Sequence, residues 1–370
     1  MNKALSKATA FLFVLAASMY ADSARAQWQT EWERVQAAAR KEGKLVISIP
    51  PSADLRKALE ESVKKRFGIE LEIVLANSAT TTKRVGDEFK AGVRYFDVIT
   101  STWESLSYNL LPMGVVEPLE QSWILPEVKD PDKWWGGHIW TDSAKKFAYS
   151  PYAYMLDNIW YNSGHAKAEE LRTYDDLLNP KWKGKIAFWD PRSAGGAALG
   201  IWGYLWLTKG EAYLKKLAQQ NLLLIEDRRL VADSLARGKV AVAIGATYYS
   251  YAAFIKAGLP VKPLPPSKEG TFVSQGNGGP VVIKNHPHPN AAKVYVNWLL
   301  SKEGQQVYSK AFGQATRRLD VDTTWMSEIG LRPAKDNITV DDFYKWQNAI
   351  EDKDLTVRRP ALEFARKILN

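Results

Sequence analysis

The sequence predicts an α/β protein of two lobes, each an open, mainly parallel sheet flanked by helices, the two joined by two crossover strands. Three observations predict it: a βαβαβ alternation between Lys44 and Thr100, a second alternation between Lys185 and Gly245, and two extended stretches linking them, Phe147 to Tyr161 and Thr271 to Lys284. The expected division is a leader over 1–26, a first lobe from 27–146 and 280–370 with the C-terminal helices, and a second lobe over 147–279 with the hinge segments.

In the first lobe, Lys44 to Ile49 is β-branched and apolar, so it reads as a strand. Leu55, Leu59, Val63 and Phe67 then recur at helical spacing and share one face. After Gly68, Ile69, Leu71, Ile73 and Leu75 alternate with Glu70 and Glu72, the period of a strand. A helix from about Thr80 to Ala91 and a strand from Phe96 to Thr100 complete the unit, which requires parallel pairing with helical crossovers. In the second lobe, strands are expected at Lys185 to Trp189, Leu222 to Ile225 and Val240 to Ile244. The helices between them are expected at Ala194 to Leu207 and Arg228 to Ala236. Helices at Asn290 to Leu300, Lys302 to Phe312, Val340 to Asp352 and Pro360 to Leu369 should pack around the first lobe and the hinge.

The N-terminus carries Lys3 and Lys7, an apolar run from Ala8 to Met19, and the small-x-small triplet Ala24-Arg25-Ala26. That is the layout of a secretory signal peptide cleaved after Ala26, because the run falls short of the roughly 20 residues a spanning helix needs. Export to the periplasm is expected, followed by release as a soluble chain of 344 residues (370 less 26). With no cysteine, such a chain must be held by its core, and thiolate chemistry is excluded. Of the formal charge of +9, the leader carries +2, which leaves +7 on the released chain. This favours encounter with anions, but Lys and Arg are interspersed with Asp and Glu, so no nucleic-acid stripe forms.

In open parallel sheets, ligands bind beyond the carboxyl ends of the strands. That rule selects Ser48, then Ser78, Ala79 and Thr80, then Ser101, Thr102 and Trp103 in the first lobe. In the second lobe it selects Arg192, Ser193, Ala194 and Gly195, then Tyr248 and Tyr249; Asn277 in the glycine-containing second crossover is counted with them. The run Arg192-Ser193-Ala194-Gly195 ends a strand and opens a helix with free N–H groups, so it reads either as an anion seat or as an ordinary cap. Ser78 to Thr82 offers more hydroxyls than capping one helix needs. Tyr248 and Tyr249 can be read as phenolate ligands of a hard cation such as ferric iron, as a stacking surface, or as packing. If the two sheets share one guest, Ser78, Ser101, Arg192 and Tyr248 should converge on a single cavity.

Several stretches carry a resemblance: Trp160-Tyr161-Asn162, the run from Asp176 to Ile186, Asp190-Pro191-Arg192-Ser193, the run from Ala236 to Ala241, and Pro287 to Lys293 through Ser301 to Gln305. Through them the chain resembles the extracellular solute-binding proteins of ABC importers, in the group that includes ferric-iron-, thiamine- and phosphonate- or sugar-phosphate-binding members. The resemblance covers nearly the whole released chain and implies the type II periplasmic-binding-protein fold, hinge closure on a ligand, and an ABC permease as partner. It also implies that Tyr248 and Tyr249 match the adjacent tyrosines of ferric-binding members. Those members often add an N-terminal histidine, whereas the only histidines here are His138, His165, His286 and His288. A further tyrosine, Tyr152 or Tyr154, would be the variant solution.

The function expected is therefore capture of a small ligand, with ferric iron or a ferric complex on one side and a small anionic organic solute on the other. No cofactor is expected beyond iron as a transported ligand, and the protein should act as a monomer. An enzyme is disfavoured, since no G-x-S-x-G elbow, H-E-x-x-H helix or Walker loop occurs, and Asp175-Asp176 and Asp341-Asp342 sit at expected helix starts. A sensory adaptor that presents its ligand to a membrane receptor remains the alternative, because both roles use the outer surface of the closed lobes.

Overall fold

A computed structural model describes residues 27–155, 159–192, 196–265, 267 and 269–369. The leader and the candidates Ser193, Ala194 and Gly195 lie outside the described residues. The strands are β1 (Lys44–Ile49), β2 (Glu70–Leu75), β3 (Val98–Ser101), β4 (Tyr154–Met155), β5 (Ile159–Asn162), β6 (Ile186–Trp189), β7 (Leu223–Ile225), β8 (Val242–Ile244), β9 (Val261–Pro263), β10 (Val273–Ser274), β11 (Gly279–Val282) and β12 (Arg332–Pro333).

The first sheet has the order β11-β3-β1-β2. Its three N-terminal strands run parallel, with Lys44 opposite Glu70 and Ile47 opposite Val98, and β11 returns antiparallel with Val281 opposite Ile99. Ser52 caps the helix Ala53–Phe67 by accepting from Leu55 N at 3.2 Å, and the helix buries the four predicted apolar residues against this sheet. It stops at Gly68, whose φ of 73° is left-handed and suits glycine.

The second sheet has the order β7-β6-β8-β5-β9. The core β7, β6 and β8 are parallel, while at one side β5 pairs antiparallel with β8 and β9 pairs antiparallel with β5. Residues 159–161, read from the sequence as part of a plain crossover, are thus sheet members. The helix Gly196–Ala218 runs past the predicted end at Leu207 and bends at Gly210, where φ is 77°. Each sheet therefore sits in its own core: Leu45, Ile47, Leu59 and Trp298 fill one, and Phe188, Ile201, Trp202 and Leu217 fill the other. Together these two lobes form the type II arrangement.

A short antiparallel sheet, β10-β4-β12, lies at the junction. Its third strand, Arg332–Pro333, was not expected from the sequence. The C-terminal helix, Arg359–Ile368, also departs from expectation, because Ala361, Phe364, Ala365 and Leu369 bury in the second core rather than around the first. Trp202 Nε1 donates to Ala361 O at 2.9 Å and holds it there. Apolar periodicity showed that this helix had a buried face; only the fold chose which lobe received it.

Candidate functional site

Between the lobes lies a cavity of about 590 Å³. Its walls come from the ends of parallel strands on both sides, as the strand-end rule requires. Ser78, Ala79, Thr80, Thr102 and Trp103 line it from the first lobe, Tyr249 from the second, and Asn277 from the crossover.

The first-lobe wall is fixed by backbone capping. Asn77 Oδ1 accepts from Thr80 N at 2.8 Å and caps the helix Ser78–Lys90, so the Ser78 hydroxyl is free for other work. Ser78 Oγ accepts from Thr102 N at 3.0 Å and pairs with Ser101 Oγ at 2.9 Å, which ties two strand-end loops together. Gly278 packs directly on this junction: its φ is +84°, and a Cβ there would lie 1.7 Å from Ser101 O. Ser101 is buried behind the wall and supports it without lining the cavity.

Across the cavity, Arg228 opens the helix Arg228–Ala236. Its guanidinium carbon lies 4.6 Å from the Tyr249 ring centre and 5.9 Å from that of Trp189, and it has no carboxylate partner among the described residues. Trp189 is oriented by donation from Nε1 to Glu226 O at 2.9 Å. Thr247 and Ser250, at the start of the helix Tyr248–Lys256, each retain 7 % exposure, and their hydroxyls have no hydrogen-bond partner among the described residues. Both residues line the cavity. Buried hydroxyls are ordinarily bonded, so two orphans facing one cavity mark where a ligand's oxygens would sit. Three helices of eight or more residues, beginning at Ser78, Arg228 and Tyr248, aim their positive ends at this space from both lobes.

Besides Ser101, four described candidates fall outside the lining: Ser48, Tyr152, Arg192 and Tyr248. Ser48 is buried under the helix start, bonded to Thr81 Oγ1 at 2.8 Å. Tyr152 lies in the first core, stacked on Tyr308 at 4.9 Å, where burial pushes its phenol far above the ordinary value. Arg192 turns away: its guanidinium bonds both oxygens of Asp190, at 3.0 and 2.8 Å for the shortest contacts, and donates to Leu369 O of the C-terminal helix. Burial works to raise the Asp190 carboxyl, but the Arg192 hydrogen bonds hold it below its usual value. Arg192 thus fastens the C-terminus to the second lobe, and its expected place in the cavity is corrected.

Tyr248 and Tyr249 diverge because successive helical residues point about 100° apart. Tyr249 faces the cavity and stacks on Phe312 of the first lobe at 4.8 Å. Tyr248 packs over Gly313, where an added Cβ would meet its ring at 2.8 Å. Of the four residues expected to converge, then, Ser78 lines the cavity, Ser101 supports it, and Arg192 and Tyr248 do not reach it. Among the described residues no three His, Asp or Glu side chains gather into a metal-holding group.

Sequence reasoning missed Arg228, Ser250 and Trp189 as site residues, whereas the strand-end rule applied to β8 does reach Thr247. Arg228 was findable: the strand-end rule applied to β7 points straight to the loop 226–229, as it did for β6 and β8.

Two α/β lobes that meet around such a cavity define a solute-capturing protein. The chain belongs to the bacterial extracellular solute-binding protein family, whose model matches residues 44–312. A Haemophilus influenzae protein without an assigned role is 24% identical over 319 residues, which is 84% of this chain and 88% of that one. Among solved structures, the periplasmic binding protein AfuA from Actinobacillus pleuropneumoniae, with fructose-6-phosphate bound, aligns with a TM-score of 0.64 and 21% identity, covering 88% of this chain and 99% of that one. Iron-bound HitA from Pseudomonas aeruginosa aligns with a TM-score of 0.63 and 18% identity over the same shares. No helix among the described residues is long and apolar enough to cross a membrane.

Proposed function

We propose that this protein is the periplasmic binding component of an ABC-type importer and that its ligand is a small anionic organic solute carrying a phosphate or carboxylate group. It would bind without turnover and act as a monomer, after its leader is removed behind Ala26. The observation that carries the anion reading is Arg228, held between Trp189 and Tyr249 with no carboxylate partner among the described residues, beside the orphan hydroxyls of Thr247 and Ser250. Ser78, Thr80, Thr102 and Asn277 would receive the rest of the ligand from the facing wall.

Space supports an organic body. A cavity of about 590 Å³ falls within the range of small-molecule sites and far exceeds a bare ion. Tyr249, Trp103 and Trp189 give it flat apolar walls. The bound fructose-6-phosphate of AfuA is a solute of this chemical kind. A ferric ion held by the phenolates of Tyr248 and Tyr249 together is disfavoured because Tyr249 lines the cavity whereas Tyr248, packed over Gly313, does not.

The test is a panel of phosphate esters, carboxylates, inorganic phosphate and ferric citrate, read by shift in Tm and by calorimetry. A phosphate ester or carboxylate should raise the Tm and saturate one site. Ferric citrate binding with a phenolate charge-transfer colour, with none of the organic anions binding, would overturn the reading.

A further inference from the structure

The hinge contains a contact that neither ligand capture nor the two expected crossovers require. Glu104 and Tyr108 stand on the helix Trp103–Asn109, which packs in the first lobe with Val46, Ile99 and Val281. Facing them is the segment Asp354–Arg358, a π-helical turn that leads into the C-terminal helix of the second lobe. That segment is anchored on the second-lobe side: Arg358 Nη1 donates to Asn348 Oδ1 at 2.9 Å, and Asn348 Nδ2 donates to Gly200 O at 3.0 Å.

Across the junction, Arg358 Nη2 lies 2.6 Å from Glu104 Oε1, with side chains only 1% and 10% exposed. Beside this pair, Tyr108 Oη donates to Asp354 Oδ2 at 2.6 Å, and Arg359 Nε donates to Tyr108 Oη at 3.1 Å. The chain thus crosses between lobes a third time, and the crossing is sealed by a charged contact. Glu104 is also part of the cavity wall. An isolated π turn inside a helical run commonly marks a functional position, and here it aims Arg358 at Glu104.

We propose that the Glu104–Arg358 ion pair, with Tyr108 and Asp354, is an interlobe clasp that sets how often the empty protein is closed. It depends on the capture reading only in that the lobes move. A buried ion pair between two bodies favours the arrangement in which both charges keep their partner, and removal of one partner leaves the other uncompensated. Because ligand affinity scales with the fraction of molecules already in the competent state, the clasp raises affinity through that fraction. Replacing both partners with neutral side chains removes the clasp and leaves no lone charge behind.

The chain has no cysteine, so spin labels can be placed cleanly at Lys57→Cys in the first lobe and Lys262→Cys in the second. Interlobe distances are then measured on the ligand-free protein, in the parent and in the double variant Glu104→Gln/Arg358→Met. A several-fold rise in the long-distance population of the variant is expected, with retained cooperative unfolding as evidence of folding. Tyr108→Phe should move the same population in the same direction, more weakly. An unchanged distance distribution in a folded double variant overturns the clasp, whatever the ligand panel shows. Failure of every ligand in the panel leaves this readout intact, so the two readings fail separately.

Discussion

The guanidinium of Arg228 lies 4.6 Å from the ring centre of Tyr249, and Tyr249 in turn stacks on Phe312 of the opposite lobe at 4.8 Å. One aromatic ring thus holds a cation of the cavity on one side and touches the other lobe beyond it. Cation and contact are preorganised together, so a ligand that pairs with Arg228 meets a group already positioned.

Arg228→Gln should weaken binding of the best anion in the panel by about 1.5 to 3 kcal/mol, the value of a hydrogen bond to a charged group. Calorimetry would read that as roughly a ten- to 150-fold rise in Kd. The Tm of the ligand-free protein should hardly move, since Arg228 pairs with no carboxylate among the described residues. Equal Kd values for parent and variant would remove Arg228 from the site.

The two tyrosines should separate. Tyr249→Ala should weaken the same anion, because it removes both the support of Arg228 and a cavity wall. Tyr248→Phe should leave the Kd within about twofold, since the ring keeps its packing over Gly313. Titration of both variants side by side decides it, and a loss confined to Tyr248→Phe would restore the phenolate reading.

Ser78→Ala should cost about 1 kcal/mol of folding stability, measured as a lower urea midpoint, because Thr102 N–H loses its acceptor and Ser101 Oγ one of its partners. Gly278→Ala should be far worse. Its Cβ would lie 1.7 Å from the Ser101 carbonyl oxygen in a left-handed conformation, and more than about 4 kcal/mol or outright loss of folding is expected.

Acid should release Asp97. The carboxylate is buried in the first lobe, where desolvation works to raise it; hydrogen bonds from His286, the Val46 N–H and His288 hold it below the usual 3.8. A carboxyl depressed on folding contributes stability above its unfolded value, and that contribution is lost as pH falls through the folded value. The stability advantage of the parent over Asp97→Asn, from urea melts, should therefore be full above roughly pH 5 and shrink below about pH 4. An advantage independent of pH across that window would contradict the assignment.

Much of the first lobe was legible because its signals are local. Leu55, Leu59, Val63 and Phe67 announce a helix face and Gly68 its end, and all of them act locally in the chain. The first-lobe wall of the cavity was legible for the same reason: Ser78, Ala79, Thr80, Thr102 and Trp103 follow strand ends, and strand ends point at the cavity. Arg192 was misplaced because its environment is set by partners far apart in the chain, Asp190 beside it and Leu369 at the other end. Tyr152 and Tyr248 look as ligand-like in sequence as Tyr249 does, and only packing against Tyr308 and Gly313 distinguishes them.

By itself, the amino-acid sequence determined two parallel α/β units and the crossovers between them, since alternation, helical periodicity and caps are properties of neighbouring residues. The tertiary structure decided which way each strand-end side chain turns, that Arg228 rather than Arg192 faces the cavity, and that the C-terminal helix packs on the second lobe while Arg358 reaches across to Glu104 of the first. Those outcomes depend on which distant surfaces meet, and no short-range pattern carries that information.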